Sequence, residues 1–228
     1  MAQNKRQERL QARRQKERQG QMRNMALIGV AAVAIVGWIA WTNFRPGPEI
    51  PPRNHPMEDG FRLGNPDAPV VLEEFGDFLC GHCQDYYMET SEAVIEQYVA
   101  TGDVYYIFHA LPYQGLGSQI TAEASYCAGD QGRFWDFHDE LYNEFNLAPN
   151  NLAMTNHARD LGLDVNTFNE CMDSGAKTEL VQGNVEYASG LGVTGTPAFV
   201  INGRLEISGA QPFSTFQQTI DSLLASSN

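Results

Sequence analysis

The residues best suited to chemistry in this sequence are two cysteines three positions apart, Cys80 and Cys83, separated by Gly81 and His82. Two thiols at this spacing in the first turn of a helix lie close enough to switch between dithiol and disulfide. Cys80 would then occupy the helix N-terminus, where unsatisfied amides and the helix dipole favour an anion. We therefore expect Cys80 to be the attacking sulfur, with a pKa below that of an ordinary thiol, and its disulfide to be an oxidant.

His82 lies between the two sulfurs, and we expect it to add a cation that stabilises the thiolate. Two other interpretations of the pair stay open at this point. A zinc site needs about four ligands, and it is disfavoured because the remaining cysteines, Cys127 and Cys171, stand singly. A purely structural disulfide is compatible with Cys-x-x-Cys spacing in an extracytoplasmic domain.

The N-terminal part of the chain predicts a membrane anchor. Residues 1–24 carry eight Lys or Arg and only two acids, whereas residues 25–44 carry no charge. A helix of about twenty residues crosses the hydrocarbon core, and the upstream cations would keep the N-terminus in the cytoplasm. We expect an uncleaved signal-anchor with the catalytic domain outside the cell membrane. The alternatives are a cleaved signal peptide, although Trp38–Thr42 lacks a small-x-small cleavage site, and a buried core helix.

Composition also predicts how the rest of the chain is organised. Residues 45–59 contain five prolines and predict an extended tether, followed by a folded domain over residues 60–228. Because the overall formal charge is −13 while the N-terminal segment is basic, the folded part is strongly acidic. This argues against nucleic-acid binding, since phosphates would be repelled. The basic tail and the apolar run are expected to meet the lipid bilayer instead.

Apolar periodicity predicts an α/β fold with a helical block in its middle. Strands are expected at 70–75 and 104–111, with a helix at 83–100 between them. Residues 118–191 show successive helical patterns and no strand signal. Strand signals return at 198–201 and 204–207 around the hairpin dipeptide Asn202-Gly203, and an amphipathic helix at 213–224 closes the chain.

Two separated motifs make the sequence similar to a known family. The run Glu74-Phe75-Gly76-Asp77-Phe78-Leu79-Cys80-Gly81-His82-Cys83 and the run Gly192-Val193-Thr194-Gly195-Thr196-Pro197-Ala198-Phe199-Val200-Ile201-Asn202-Gly203 resemble the DsbA-like thiol–disulfide oxidoreductases of the thioredoxin superfamily. The segment from Cys127 to Trp135 is similar to the membrane-anchored bacterial members. The resemblance covers nearly all of residues 60–228. It implies a thioredoxin fold with an inserted helical subdomain, and neither a cofactor nor a metal.

The resemblance also implies roles for individual residues. Cys80 would be the exposed nucleophile and Cys83 the buried resolving cysteine. Thr196 and Pro197 would form the cis-proline dipeptide beside the site, and Glu74 the buried acid near the resolving thiol, able to take up its proton. Without the resemblance, Pro197 would be only a proline at a strand start, and Glu74 an exposed acid.

Cys127 and Cys171 both lie in the helical block. In an oxidising compartment an even cysteine count favours pairing, so we expect a structural disulfide, as in similar proteins. The alternative is an electron relay to Cys80.

The expected activity is oxidation of secreted or cell-envelope proteins by the Cys80–Cys83 disulfide. The resemblance implies reoxidation by a DsbB-like or VKOR-like membrane protein. However, Gly81-His82 resembles the central pair of protein disulfide isomerases, so a reductase or isomerase of the same fold remains an alternative. A second alternative is a membrane-tethered chaperone that binds peptides and whose redox site is vestigial.

Overall fold

The structure, a computed structural model, describes residues 53–145 and 149–226, together with residues 22, 25, 29 and 31–38 of the N-terminal part. Residues 31–38 are helical, and their side chains are exposed. The predicted basic tail and most of the predicted span at 25–44 therefore lie outside the described residues. Within the part of the chain that is described, no helix has the length and apolar character needed to cross a membrane.

The chain divides into two compact units, Met1–Pro51 and Pro52–Asn228. The second unit contains a five-stranded sheet. Its strands are β1 (Arg62–Leu63), β2 (Val70–Gly76), β3 (Val104–Ala110), β4 (Ala198–Ile201) and β5 (Arg204–Ser208), in the order β1-β3-β2-β4-β5. β2 and β3 are parallel, and the other pairs are antiparallel. The sequence missed β1, because two residues are too few to show an alternating pattern.

Helix α1 connects β2 to β3 and alternates between α-helical and π-helical turns. Its four segments are Gly81–Tyr86, Tyr87–Ser91, Glu92–Val94 and Ile95–Val99. The predicted helical insertion contains α2 (Leu116–Gly129), α3 (Phe134–Asn143), α4 (Asn151–Asp160), α5 (Val165–Ser174) and α6 (Thr178–Gly190), and the last helix is α7 (Phe213–Ser226). The helices predicted within residues 60–228 all occur, with ends that move by a few residues.

The two faces of the sheet bury different residues, as the period of two along a strand requires. On one face Phe199 of β4 contacts Tyr86 of α1 and Phe216 of α7, with ring centroids 4.5 and 4.7 Å away. On the other face Phe75 and Val200 pack in a cluster with Ala188 of α6. Helices therefore cover both faces of the sheet. The hairpin between β4 and β5 turns at Asn202 and Gly203, whose φ angles of 48° and 79° are those expected for this dipeptide.

Two residues of the predicted tether contact the domain that follows it. The Arg53 guanidinium donates to the hydroxyl of Ser91 at 2.7 Å and to the carbonyl of Tyr87 at 2.9 Å, and it lies 3.7 Å from the centre of the Tyr87 ring. His55 Nε2 lies 3.1 Å from a carboxylate oxygen of Asp139. Residues from Arg53 onward therefore pack on the domain. Prolines in this segment prevent regular structure, but they do not prevent side-chain contacts.

The two cysteines of the insertion form a disulfide in the structure. Cys127 of α2 and Cys171 of α5 are 44 residues apart in sequence, and their Cα atoms are 5.9 Å apart. Cys127 is buried in the main core, and Cys171 packs against that core. In the loop-entropy model a bridge over this separation stabilises the folded state by about 4 kcal/mol. The bond therefore fixes the helices of the insertion to one another.

Candidate active site

The dithiol lies at the N-terminus of helix α1, shortly after the end of β2. Cys80 is the residue before the first helical turn, with the extended backbone (φ −87°, ψ 118°) that is usual at this position. Its carbonyl accepts the N–H groups of Cys83 and Gln84 at 3.0 and 3.1 Å. Cys80 is partly exposed and Cys83 is fully buried, and both are free thiols in this structure. This arrangement leaves one sulfur accessible to another molecule and hides the other.

The loop before β4 forms the opposite wall of the site. Phe75 of β2 pairs with Ala198 of β4, and this register brings the preceding dipeptide, Thr196-Pro197, beside the end of β2. The peptide bond between Thr196 and Pro197 is cis. The Cys80 thiol donates to the Thr196 carbonyl at 3.4 Å. The sequence-predicted dipeptide and the predicted nucleophile are therefore in contact.

The surroundings of Cys80 favour its thiolate. A hydrogen bond from the Cys83 thiol is the largest cause that lowers the pKa of Cys80, to about 5. Partial burial opposes this, while a hydrogen bond from the Thr196 side chain and the backbone N–H groups of Cys83 and His82 add to it. Amides at a helix N-terminus are expected to act in this way. Cys80 is therefore ionised at neutral pH when the site is reduced.

His82 contributes to this site through its backbone. Its imidazole is 78% exposed, and its Nδ1 lies 3.3 Å from the carboxylate of Asp85. The hydrogen bond that favours the Cys80 thiolate comes from the His82 main chain. A role for the imidazole in activity remains a prediction.

Cys83 is held as a neutral thiol. Burial raises the pKa of Cys83 far above that of an ordinary thiol, and its hydrogen bond to Cys80 and the charge of Glu74 raise it further. The backbone N–H of Asp77, 3.4 Å from the Cys83 sulfur, acts in the opposite direction. The two sulfurs therefore differ strongly in acidity, although only two residues separate them.

Glu74 is buried behind the dithiol and is only 2% exposed. Burial raises the pKa of Glu74 to about 8, and the Tyr106 hydroxyl, which donates to its carboxylate, opposes that shift. The interpretation of this residue as an exposed acid is therefore wrong, and the buried position implied by the resemblance is correct. The neighbouring Glu73 points to the other face of the sheet, where His109 and Tyr187 bind its carboxylate at 2.9 and 3.0 Å.

Asp77 is the functional residue that sequence reasoning missed. Its side chain accepts the N–H groups of Leu79, Tyr113 and Gln114, at 2.9, 2.8 and 3.1 Å. It also accepts the Ser118 hydroxyl at 2.9 Å. An acid that follows a strand and binds the N–H two residues later is typical of an Asx turn, and Gly76-Asp77 is the sequence signal for that turn. Asp77 thus joins the loop that carries Cys80 to the start of the insertion.

The other histidines have structural partners. His109 lies between Glu73 and Asn184, and His157 lies 3.3 Å from Glu140. In the described part of the chain, Glu140, Glu144 and His157 form one group whose ligand atoms lie within 4.8 Å of one another. This group is remote in sequence from the dithiol, and no further feature points to an ion there.

Comparison with known proteins assigns the family. The family model described as thioredoxin matches residues 57–222, which is most of the chain. The chain belongs to the thioredoxin family. The predicted thioredoxin fold is thereby confirmed, and residues 57–222 form a thiol–disulfide oxidoreductase domain.

Individual relatives agree with this family. The chain is 31% identical over 168 residues to the probable disulfide bond formation protein D of Bacillus anthracis, covering 70% of this chain and 76% of that protein. A thioredoxin-like oxidoreductase from Silicibacter pomeroyi DSS-3 is 28% identical, with a TM-score of 0.63, over 72% of this chain and 91% of that one. The alpha-DsbA1 of Wolbachia pipientis shares the fold at 22% identity, with a TM-score of 0.64, over 81% and 96% of the two chains.

Other relatives are much longer than this chain. The Na(+)/H(+) antiporter NhaA 1 of Salinispora arenicola is 34% identical over 144 residues, which are 62% of this chain but only 21% of that protein. The chain thus spans about a fifth of the length of this relative. The match covers only the part of this chain that belongs to the thioredoxin family. It therefore carries no information about ion transport.

Proposed function

We propose that this protein is a membrane-anchored oxidase that introduces disulfides into secreted or cell-envelope proteins. The observation that carries the proposal is the low pKa of Cys80, about 5, beside a neutral, buried Cys83. A stabilised thiolate favours the reduced form of the dithiol. The disulfide form therefore oxidises other thiols readily. The names of the Bacillus relatives, disulfide bond formation protein D, agree with oxidation as the direction of the reaction.

The geometry supports the following sequence of steps. A substrate thiolate attacks the exposed Cys80 sulfur of the Cys80–Cys83 disulfide. The bond between Cys80 and Cys83 breaks, and its electron pair leaves on Cys83, which takes a proton. The second substrate thiolate then attacks the substrate sulfur of the mixed disulfide. Cys80 leaves as a thiolate, which its surroundings stabilise.

The loop before β4 is suited to hold the substrate during these steps. Thr196 lies at the nucleophile, and its carbonyl is 3.4 Å from the Cys80 sulfur. A backbone segment ahead of a strand start can pair with an extended peptide as an added strand. We propose that a substrate segment next to the reacting cysteine binds here.

The proposed anchor and location rest on the sequence. The uncharged residues 25–44 are long enough to span a bilayer, and the basic residues before them favour a cytoplasmic N-terminus. The dithiol domain would then lie on the outer side of the cell membrane. A quinone-linked membrane protein of the DsbB or VKOR type is the proposed partner that reoxidises the dithiol.

The equilibrium between this dithiol and glutathione tests the direction of electron flow. We expect a potential closer to the value of about −120 mV known for DsbA than to the value of about −270 mV known for thioredoxin. A potential at the thioredoxin end would contradict the oxidase proposal and favour a reductase. The reduced and oxidised fractions of Cys80 and Cys83 can be counted by thiol alkylation and mass spectrometry.

The location is tested separately in cells that produce the full-length chain. We expect the protein to stay in the membrane fraction after alkaline carbonate extraction, and Cys80 to react with a thiol reagent that does not cross membranes. Release by carbonate would contradict the anchor. Protection of Cys80 until the cells are lysed would contradict the outer location.

A further inference from the structure

A small, mostly apolar cavity with a few polar groups in its walls lies between the sheet and helices α1 and α3. Its walls include Glu74, Tyr87, Tyr106, His138 and Tyr142. The cavity has room for about one water molecule. The buried acid Glu74 and the buried imidazole of His138 both line this cavity.

Three polar atoms in these walls have no hydrogen-bond partner. In the described part of the chain, His138 Nε2 and the hydroxyls of Tyr87 and Tyr142 are buried and unpaired. The His138 residue is only 5% exposed. Buried polar atoms without partners are rare, and each one calls for an explanation. A water in the cavity would have polar partners in these walls.

The neighbours of His138 fix its orientation and its charge. Burial raises the pKa of Asp139, but hydrogen bonds with His138 and His55 outweigh it and lower that pKa to about 2. Ionised Asp139 can only accept, so His138 Nδ1, 2.9 Å away, is the protonated nitrogen. Burial lowers the pKa of His138 and outweighs the hydrogen bond and charge of Asp139, which raise it, while His55 and Arg53 act in the same direction as burial. The neutral ring therefore presents the lone pair of Nε2 to the cavity, in the manner of a general base.

The chemistry of Cys83 needs such a base. Cys83 must gain a proton when its disulfide opens and lose that proton when the disulfide closes. Because the pKa of Glu74 is about 8, most of this carboxyl is protonated at neutral pH, and only the minor ionised fraction can accept the Cys83 proton directly. Since Glu74 is buried, the rest can lose its proton only to a base that reaches it inside the protein.

We propose that His138, oriented by Asp139, is the internal proton-relay residue of this site, exchanging a proton with Glu74 through water in the cavity. When the disulfide closes, Glu74 passes its proton to His138 Nε2, and the resulting carboxylate takes the proton of Cys83. The Cys83 thiolate then attacks Cys80, and the bond between Cys80 and the other molecule's sulfur breaks, with its electron pair leaving on that sulfur. When the disulfide opens, the protons move in reverse. The inference rests on the proposed thiol–disulfide chemistry but holds for either direction of electron flow.

The reaction of the reduced, full-length chain with the aromatic disulfide DTNB separates the two sulfurs. Attack by Cys80 releases the first equivalent of thionitrobenzoate and leaves a mixed disulfide. Attack by Cys83 on Cys80 releases the second equivalent and needs the Cys83 proton to leave. We expect His138→Gln to slow the second phase by about a hundredfold or more, the order of a lost general base, and to leave the first phase unchanged.

The pH profile distinguishes a proton relay from a packing defect. In the wild-type chain the second phase should slow as pH falls through the pKa of His138, and this inflection should be absent in His138→Gln. His157→Gln is the matched control, because His157 is as buried as His138 and lies against Glu140 instead of in this cavity wall. It should leave both phases and the profile unchanged.

Three results would overturn the relay: a second phase in His138→Gln with the wild-type rate and profile, equal slowing in both variants, or a His138 tautomer that carries its proton on Nε2. The last result comes from nitrogen-15 NMR of the wild-type chain and needs no variant. Absence of the first phase would instead contradict the dithiol chemistry itself. A reducing potential would contradict only the proposed direction, because the relay is judged by the ratio of the two phases.

Discussion

The two cysteine pairs of this domain differ in how the fold treats their sulfurs. Cys80 and Cys83 share the first turn of one helix, remain free in the structure and differ strongly in burial and pKa. Cys127 and Cys171 come from two helices, are 44 residues apart, and are bonded to each other. The first pair closes almost no length of chain, so its bond adds little stability, whereas the second pair closes a long loop.

The surroundings of the two pairs, and not the cysteines themselves, determine which pair reacts. Around the first pair, amides at the helix N-terminus, Thr196 and Glu74 act on one sulfur or the other, and one sulfur is exposed. Cys127 of the second pair is buried in the core, at 1% exposure. We therefore expect changes at the first pair to alter chemistry and changes at the second to alter stability.

Replacement of the nucleophile should have the largest effect. Cys80→Ser removes the disulfide that a substrate thiolate attacks, so oxidation of a reduced, unfolded test protein should fall by at least about a thousandfold. The rate of disulfide formation, followed by alkylation of remaining thiols, measures it. The double variant Cys127→Ala/Cys171→Ala is the matched control and should keep most of the activity. Equal refolding with Cys80→Ser would instead favour a chaperone.

Removal of the second pair should mainly change stability. The variant Cys127→Ala/Cys171→Ala should lower the free energy of unfolding by about 4 kcal/mol, the amount expected for a loop of this length. Denaturant unfolding of the oxidised proteins at neutral pH measures the change. The potential of the Cys80–Cys83 pair should stay the same in this variant. A changed potential would mean that the two pairs exchange electrons.

The buried acid behind the first pair should make stability depend on pH. The Glu74 carboxyl ionises near 4.5 in the unfolded chain and near 8 in the folded one, so the folded state holds an extra proton between these values. Stability should therefore fall as pH rises through this window. Glu74→Gln should remove the fall and raise the free energy of unfolding at pH 9 by about 2–4 kcal/mol, with little effect at pH 4.

The oxidised protein is the form to use for this measurement, because Cys80 does not titrate in it. Glu73→Gln is a control on the opposite face of the sheet, where the carboxylate binds His109 and Tyr187. Parallel pH curves for wild type and Glu74→Gln would show that Glu74 is not the group responsible.

The imidazole of His82 should have the smallest effect on the reactive pair. Absorbance at 240 nm reports the thiolate, and the wild-type titration should have its midpoint near 5. His82→Gln should move that midpoint by less than about one unit, because an imidazole this exposed is screened by water and salt, and the backbone N–H remains. A midpoint near that of an ordinary thiol would mean that the His82 imidazole, and not the hydrogen bonds from the Cys83 thiol and the backbone, causes the acidity.

Much of this molecule follows from its sequence. The strands and helices appear where apolar periodicity predicts them, because each buries one regular face. Cys80 and Cys83 are found at a helix N-terminus, as their spacing predicts. The burial of Glu74 depends on which face of β2 is covered by α1, and a single acid in a strand does not carry that information.

Other features depend on contacts between distant segments. Arg53 binds α1 across 34 residues or more, and no local pattern signals this partner. The unpaired nitrogen of His138 arises only when aromatic residues from β3 and α3 enclose the ring, with Phe108 4.8 Å and Tyr142 4.9 Å away. In the sequence, His138 fits the pattern of a packing residue in an amphipathic helix. This pattern does not reveal its unpaired nitrogen.

The Asp77 carboxylate limits how the insertion can move. It binds both the turn that leads to Cys80 and the loop between β3 and α2, so a hinge at this loop would have to break several hydrogen bonds to one buried charge at once. Such bonds are among the stronger ones in proteins. The insertion and the dithiol are thereby kept in a fixed relation at this edge. Under the proposed function, adaptation to substrates of different shape must then come from the substrates, which suits an oxidase of proteins that are still unfolded.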